Sequence, residues 1–151
     1  MFDRFTDRVR KLLELAKQEA LRFDNKSVDT EHILLALLEE GSGVGFTVLK
    51  NLVDIKDLRI KIEKQITTKP VKAANCRKTF TPATKQVFQY AIEEARSLKD
   101  NIVGTQHLLL SLLLEPDGVA AAALADCGLN YEQVRSEVIK ISGKNPEEGK
   151  S

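Results

Sequence analysis

Two histidines, His32 and His107, are the only ones among the 151 residues of the chain, and each lies beside a run of leucines. A histidine can ligate a metal, act as a general base or hydrogen-bond a neighbour in the core. The sequence offers neither an HExxH motif nor a histidine–cysteine cluster that would supply a second metal ligand. We therefore interpret both histidines as packing residues in the first turn of a helix, with metal binding, catalysis and ligand contact as the alternatives.

The residue before each histidine differs, being Glu31 in one context and Gln106 in the other. A carboxylate just inside a helix, as predicted for Glu31, is suited to a cation such as a guanidinium. We expect this position, rather than the histidine beside it, to carry any specific contact with a ligand.

Two threonines, Thr6 and Thr81, stand where two other helices are predicted to begin. A helix N-terminus offers free N–H donors and a partial positive charge, which suits an anion. Lys85 lies one turn into the second of these helices, and Arg10 holds the equivalent place in the first. Together with Glu31, these residues could bind a ligand that carries both signs of charge. The alternative is helix capping with charges matched to the helix dipole.

No other motif indicates chemistry. The phosphate-binding patterns GxxxxGK[ST] and GxGxxG are absent, as is the nucleophile pattern GxSxG. The sequence therefore predicts no cofactor, no metal site and no catalytic residue, and the chain is not expected to be an enzyme.

An internal repeat organises the sequence. When residues 5–49 are compared with residues 80–124, sixteen of the 45 positions are identical without a gap. Both histidines, Thr6 with Thr81, and Glu31 with Gln106 fall at equivalent positions in this comparison. Such self-similarity is the signature of a duplicated supersecondary unit.

Each unit is predicted to form four helices, which gives an all-α fold of two tandem repeats. Apolar residues spaced i, i+3, i+4 and i+7 from Val9 predict an amphipathic first helix, and "HILLALL" predicts a second helix that is buried almost all round. A short third helix is expected over about residues 44–51. The predicted N-caps are Thr6, Thr30 and Asp54 in the first unit and Thr81, Thr105 and Asn130 in the second. Alternating strand patterns are absent.

Composition sets the predicted boundaries of this domain. Repeat 1 is expected over about residues 2–66 and repeat 2 over about 80–142. The proline-containing, basic stretch at about 67–79 is predicted to be a linker, and 143–151 a flexible tail.

Charge and cysteine content indicate the environment of the domain. The net charge of +1 favours neither nucleic acid nor an anionic membrane as a partner. The N-terminal stretch lacks the apolar core of a signal peptide, and no apolar run is long enough to span a membrane. Cys76 and Cys127 have no metal-ligand spacing, and we favour free thiols over a disulfide. The expected location is the cytoplasm.

The doubled pattern resembles a known family. The segments "RFTDRVRKLLELAKQEALRF…VDTEHILLALLEEGSGV" and "TFTPATKQVFQYAIEEARSL…VGTQHLLLSLLLEPDGV" resemble the N-terminal (Clp repeat) domain of the Hsp100 AAA+ unfoldases, of the ClpC type in particular. The resemblance covers residues 2 to about 142, in both copies and in order.

The resemblance implies a pseudo-twofold bundle of eight helices with no catalysis of its own. It implies that the domain docks protein substrates and adaptor proteins for an attached Clp ATPase and its ClpP-type protease partner. The alternative is a free-standing Clp-repeat protein that regulates or stabilises a Clp protease complex.

The resemblance also implies recognition of phosphorylated arginine, because the ClpC-type domain binds this mark. Carried over by motif, the first site would use Glu31 with Thr6 nearby, and the second would use Gln106 with Thr81 and Lys85. Gln106 replaces a charge-assisted bond with a neutral one, which weakens the second site by about 1 kcal/mol or more. Asp29 stands where the family usually has glycine, and its carboxylate could either hold a guanidinium or repel the adjoining phosphate.

Overall fold

The computed structural model describes residues 2–67 and 79–143. These residues form eight α-helices, a short 3-10 turn at Phe2–Arg4 and two short strands. The helices are α1 Asp7–Arg22, α2 Thr30–Glu40, α3 Gly43–Leu52, α4 Ile55–Thr67, α5 Pro82–Ser97, α6 Thr105–Leu114, α7 Val119–Asp126 and α8 Tyr131–Ser142. The strands are β1 Ser27–Val28 and β2 Thr79–Phe80. This confirms the predicted all-α fold with two sets of four helices. Cys76, most of the predicted linker and residues 144–151 lie outside the described residues.

Four of the six predicted N-caps are confirmed, because each of these side chains accepts a hydrogen bond from the first turn of its own helix. The Thr6 hydroxyl accepts a hydrogen bond from Val9 N, and Thr81 does the same for Thr84 N. Asp54 caps α4 through the N–H groups of residues 56 and 57, and Asn130 caps α8 through that of residue 133. Each such cap supplies a partner to a backbone donor that the helix itself leaves free, typically worth about 1 kcal/mol.

The caps predicted at Thr30 and Thr105 are wrong by one residue. The N-caps of α2 and α6 are Asp29 and Gly104, and both threonines are the first residues inside their helices. A threonine hydroxyl can bond a neighbouring element as readily as its own backbone. Both threonines are buried and turn their hydroxyls toward the other repeat. Both threonines were therefore predicted to cap their own helices, whereas their hydroxyls bond to the other repeat.

The two leucine-rich helices form the centre of the core. Every residue from Ile33 to Leu37 in α2, and from Leu108 to Leu110 in α6, has 0% exposure. The amphipathic stripe of α1 is also buried, as predicted, at positions including Val9, Leu12 and Ala16. Burial of each leucine side chain contributes about 1.5–3 kcal/mol, so this contiguous core accounts for the stability of the bundle.

The two strands connect the repeats. They were not predicted, because the sequence has no alternating pattern of polar and apolar residues. β1 pairs in parallel with β2, with Val28 opposite Phe80. An equivalent bridge joins Phe5 to Val103. In both pairings, the segment before the first helix of one repeat lies beside the segment before the second helix of the other. Pairings of two residues are too short to leave an alternating pattern in the sequence.

Within the described residues, no single helix is long and apolar enough to cross a membrane. Two bent helix pairs, α2 with α3 and α6 with α7, pass the same test of length and composition only when each pair is counted together, and they bend by 91° and 92°.

Candidate functional site

A cleft of about 170 Å³ opens between the start of α2 and the start of α5. We call it the acidic cleft, and its lining residues are Asn25, Lys26, Ser27, Asp29, Glu31, His32 and Thr81. It contains two carboxylates and one ammonium group, so its net charge is negative. Six of its residues come from repeat 1, and the seventh is the N-cap of the first helix of repeat 2.

Backbone pairing of β1 with β2 holds the two sides of the acidic cleft together. The Thr81 N–H donates to the Val28 carbonyl oxygen at 3.0 Å, directly beyond the paired residues. The Thr84 hydroxyl donates to the same carbonyl at 3.1 Å, from a fully buried position. The start of α5 is therefore fixed against the start of α2 by bonds to one acceptor.

Asp29 connects the two helix starts through its carboxylate. One oxygen, Oδ1, accepts from Thr30 N at 2.8 Å and from the Thr81 hydroxyl at 3.0 Å. A carboxylate at a helix N-terminus is also stabilised by the positive end of the helix dipole. Asp29 thereby has a structural role as well as a charge in the cleft, which resolves why an acid can stand at this position.

Glu31 carries the second charge of the cleft and is almost fully buried, with 1% exposure. A buried carboxylate favours a partner that is cationic and can form several hydrogen bonds, because both its charge and its lone pairs then receive compensation. A guanidinium meets these conditions, since its planar array of N–H donors matches carboxylate geometry.

The histidines are fully engaged in local hydrogen bonds. His32 Nδ1 accepts from Asp29 N at 2.8 Å, and Nε2 lies 2.5 Å from Asn25 Oδ1. In repeat 2, His107 Nδ1 accepts from Gly104 N at 2.8 Å, and Nε2 lies 2.7 Å from a carboxylate oxygen. The Nδ1 acceptor role places the proton on Nε2 in the neutral ring. This agrees with the packing interpretation, and no group of three or more metal-ligating side chains occurs in the described part of the chain.

The structure pairs the predicted site residues across the repeats, and the pairing expected from the sequence is wrong. Glu31 shares its cleft with Thr81, not with Thr6. Lys85 lies one turn into α5, where its N–H donates to the Thr81 carbonyl at 2.9 Å, so it also belongs to the Glu31 side. The physical reason is the crossed pairing of β1 with β2, which the sequence does not reveal.

Thr6 lies beside the Gln106 segment of repeat 2 instead of beside Glu31. Its N–H donates to the Val103 carbonyl at 3.0 Å, three residues before Gln106. Arg10 is exposed one turn further along α1, with its N–H bonded to the Thr6 carbonyl at 3.0 Å. These three predicted residues therefore form the counterpart of the acidic cleft, rather than part of it.

The counterpart of the acidic cleft in repeat 2 lacks both carboxylates. Gly104 replaces Asp29 and Gln106 replaces Glu31. The Gln106 amide lies over Gly104, because a Cβ on that glycine would stand 2.5 Å from Gln106 Oε1. Any side chain at position 104 would have to displace the amide. The two substitutions are thus coupled, and the amide occupies space that an aspartate carbon fills in repeat 1.

Sequence reasoning missed one side of the acidic cleft. Asn25 and Lys26 lie between α1 and β1, Ser27 begins β1, and no sequence motif pointed to any of the three. The signal that could have found them is the repeat itself, since Asn25 corresponds to Asp100, and both are bonded to the histidine seven residues later.

A family model for the Clp repeat N-terminal domain matches the chain twice, over residues 4–105 and 79–151. The chain belongs to the Clp repeat (R) N-terminal domain family. The two overlapping matches agree with the duplicated set of four helices.

Relatives with strong sequence similarity are large Clp proteins. The chain is 42% identical over 148 residues to the ATP-dependent Clp protease ATP-binding subunit ClpA homolog of Porphyra purpurea, which covers 97% of this chain and 18% of the relative. It is also 42% identical over 148 residues to the chaperone protein ClpC1 of Arabidopsis thaliana chloroplasts, covering 97% of this chain and 16% of that protein. The chain thus spans less than a fifth of the length of these relatives.

Solved structures share the fold at lower identity. The N-terminal domain of ClpD from Arabidopsis thaliana matches with a TM-score of 0.73 and 21% identity, over 95% of this chain and 97% of that one. The Hsp104 N-terminal domain from Candida albicans matches with a TM-score of 0.79 and 20% identity, over 93% of both chains. A complex of the ClpV N-domain with a VipB peptide matches with a TM-score of 0.73 and 17% identity, over 91% of this chain and 86% of that one.

Proposed function

We propose that this domain is a non-catalytic docking module for proteins, and that its acidic cleft takes the guanidinium end of a phosphorylated arginine. The observation that supports the proposal most directly is the convergence of Asp29 and Glu31 with the Thr81 helix start in one cleft. Negative charge and a helix N-terminus lie side by side there. A phosphoarginine side chain carries the matching pair, a guanidinium joined to a phosphate.

The guanidinium half of the ligand would bind at Glu31. The buried carboxylate lies in the first turn of α2 and would accept N–H bonds from a planar group in the cleft. Charge-assisted bonds of this type contribute about 1.5–3 kcal/mol each. The Gln106 amide of the counterpart cannot supply the charge, so the proposal assigns binding to one cleft.

The phosphate half would bind at the start of α5. This helix has 16 residues, and its N-terminal dipole favours an anion. Lys85 is exposed one turn along the same helix and can add a full positive charge. Asp29 lies between the two halves, and its oxygen is already bonded to Thr30 N and Thr81. These donors and the positive ends of the helix dipoles partly neutralise its charge, which lowers the repulsion of a phosphate at the same helix start.

Calorimetric titration of the domain with free phosphoarginine tests the proposal. Wild-type protein should bind it and should bind unmodified arginine more weakly. Glu31→Gln, which introduces the residue present in repeat 2, should lower the affinity about tenfold or more through the loss of a charge-assisted bond. Gln106→Ala is the matched control at the equivalent position and should leave the affinity nearly unchanged. No heat with the wild-type domain, or equal losses in both variants, would contradict the assignment.

We propose protein substrates and adaptor proteins as the partners, presented to Clp ATPase modules and a ClpP-type protease in the cytoplasm. The ClpV N-domain in complex with a VipB peptide supports a peptide-binding use of this fold. The 42% identity to a relative described as an ATP-dependent Clp protease ATP-binding subunit supports a role with such a machine. A free-standing regulator of a Clp protease remains the alternative prediction, and both use the domain as a docking surface.

A further inference from the structure

A second cleft, of about 380 Å³, lies at the end of α5 and is separate from the acidic cleft. We call it the arginine cleft, and its lining residues are Arg4, Ile92, Ala95, Arg96, Asp100, Asn101 and Val103. It shares no residue with the acidic cleft. The carbonyl of its lining residue Val103 accepts from Thr6 N at 3.0 Å, so the arginine cleft lies beside the counterpart of the acidic cleft.

Two arginines reach this cleft from distant parts of the chain. Arg4 ends the 3-10 turn, and its carbonyl accepts from Val103 N at 2.6 Å, which fixes its backbone to the far side of the cleft. Arg96 lies in the last turn of α5, where its carbonyl accepts from Lys99 N at 3.0 Å. The backbones that carry both guanidinium groups are therefore held in place by hydrogen bonds.

Within residues 2–67 and 79–143, neither guanidinium forms an ion pair or a side-chain hydrogen bond. Elsewhere in this part of the structure, arginines have side-chain partners: Arg8 with Ser42, Arg22 with Glu19 and Glu63, Arg59 with Glu39, and Arg135 with Ser97. Two exposed guanidinium groups that line one cleft without such partners raise its positive potential.

The repeat provides an internal control for these charges. Arg4 corresponds to Thr79 in the other repeat, and Arg96 corresponds to Leu21. The helix bundle therefore does not require an arginine at either position. The equivalents of Ile92 and Asn101 are Lys17 and Lys26, so the corresponding region carries its positive charges on other residues and has no pair of arginines.

The other lining residues of the arginine cleft determine which kind of anion it suits. Asp100 contributes one negative charge to the cleft, and it is held by His107 Nε2 at 2.7 Å. Two guanidinium groups and one carboxylate leave a single net positive charge, which suits a singly charged carboxylate better than a doubly charged phosphate. The half-buried Ile92 and the buried Val103 add apolar groups to the lining, and the Asn101 amide adds a polar group. A few convergent polar groups beside apolar ones are typical of a ligand site.

We propose that the arginine cleft binds a carboxylate carried by a peptide, through the guanidinium groups of Arg4 and Arg96. An arginine donates two parallel N–H bonds to a carboxylate, which fixes its orientation as well as its charge. The carboxylate is either an acidic side chain or the C-terminal α-carboxylate of a docked segment. This site is independent of the phosphoarginine proposal, because no residue is shared between the two clefts.

Three short fluorescent peptides of the same apolar composition test the proposal by anisotropy. One carries two glutamates and an amidated C-terminus, one carries glutamines and a free C-terminus, and one carries glutamines and an amidated C-terminus. We expect the neutral amidated peptide to bind at least tenfold more weakly than one or both of the others. The peptide that binds identifies the source of the carboxylate.

Variants with matched charge changes complete the test. Arg4→Gln and Arg96→Gln should each lower the affinity for the charged peptide about tenfold, while Arg59→Gln, which removes the same charge from α4, should not. Melting temperatures of Arg4→Gln and Arg96→Gln should stay close to wild type, since these two arginines make no ion pair in the described structure. Arg59→Gln should also change the melting temperature little, because its partly exposed pair with Glu39 contributes at most about 1 kcal/mol. Equal affinity for all three peptides, no binding at millimolar concentration, or equal losses in Arg59→Gln would overturn the proposal. Retention of phosphoarginine binding in Arg96→Gln would show that the two sites are independent.

Discussion

The Thr105 hydroxyl accepts a hydrogen bond from the backbone N–H of Gly45, 60 residues earlier in the chain, at 2.9 Å. The equivalent bond runs in the opposite direction between the repeats, where Thr30 accepts from Ala120 N at 3.3 Å. Both threonines are buried at the first position of a central helix. Each repeat thus supplies the hydroxyl that satisfies the start of the third helix of the other.

Gly45→Ala should destabilise the domain, although alanine is the better helix former. A Cβ at Gly45 would lie 2.7 Å from the Thr105 carbonyl oxygen and 2.9 Å from its carbonyl carbon, and backbone atoms cannot move aside as a flexible side chain can. We expect a loss of about 1–3 kcal/mol in the free energy of unfolding. Urea denaturation measures it. The reverse change at the equivalent position, Ala120→Gly, should cost only about 1 kcal/mol from helix propensity. A Gly45→Ala protein that is more stable than wild type would show that α3 can shift away from α6.

Leu35→Asp and Leu110→Asp should each unfold the domain. Both leucines have 0% exposure in the central helices, and burial of an unpaired carboxylate exceeds the few kcal/mol available to a domain of this size. Circular dichroism at 222 nm and thermal melting measure the loss. Ile60→Asp is the matched control, because Ile60 is 59% exposed on α4 and should tolerate the charge. A cooperative melt at the wild-type temperature for either leucine variant would contradict the assignment of the core.

Ionisation of the Tyr131 phenol should lower the free energy of unfolding at alkaline pH. Burial, followed by its hydrogen bond to Glu94 Oε1 at 2.7 Å, raises the pKa of the Tyr131 phenol from 10.0 to about 12. Below pH 10 both folded and unfolded chains keep the phenol proton, and this contribution to stability is complete. Between pH 10 and about 12 only the folded chain keeps it, so the contribution is lost as the pH rises.

The comparison of wild type with Tyr131→Phe isolates this effect, because other alkaline titrations are common to both proteins. The free energy of unfolding should fall more steeply with pH in wild type than in the variant between pH 9.5 and 11. At neutral pH the variant should be less stable by about 1–3 kcal/mol, since the Glu94 carboxylate loses its phenol donor. Parallel pH profiles for the two proteins would show that folding does not raise the pKa of the Tyr131 phenol.

A second phosphoarginine cleft of full affinity should require two substitutions in repeat 2. Gln106→Glu supplies the charge, but the position of Asp29 is still held by Gly104. Gly104→Asp alone places a Cβ where the Gln106 amide now lies. The double variant should raise the calorimetric stoichiometry from one to two, while Gln106→Glu alone should bind more weakly at its new site. A stoichiometry of two in the wild-type domain would show that the Gln106 amide does not close the counterpart of the acidic cleft.

The elements that could be predicted from the sequence are those determined by residues close to one another along the chain. The α1 stripe beginning at Val9 follows the 3.6-residue period, and the caps at Thr6 and Asn130 bond their own helices. The duplication was visible because its identities keep a constant spacing. These signals determined the number, order and burial of the helices without any information about long-range contacts.

The site could be predicted only in part, because its two sides are joined by tertiary contacts. Glu31 and Thr81 were both identified as candidates, yet they were assigned to different clefts. The pairing depends on a two-residue parallel strand between segments more than 50 residues apart, which leaves no period in the sequence. Thr30 was predicted as the N-cap of α2, and the structure shows that Asp29, the residue before it, takes this role.

The crossed pairing of β1 with β2 means that neither repeat contains a complete acidic cleft. A polypeptide of one repeat could build the cleft only as a symmetric homodimer, in which each subunit supplies its helix start to the other. Such a dimer would carry two identical clefts, and any substitution would alter both. Joining the halves in one chain removes that constraint. Glu31 could remain acidic while its counterpart became Gln106, and Arg4 and Arg96 could arise without arginines at the equivalent positions 79 and 21.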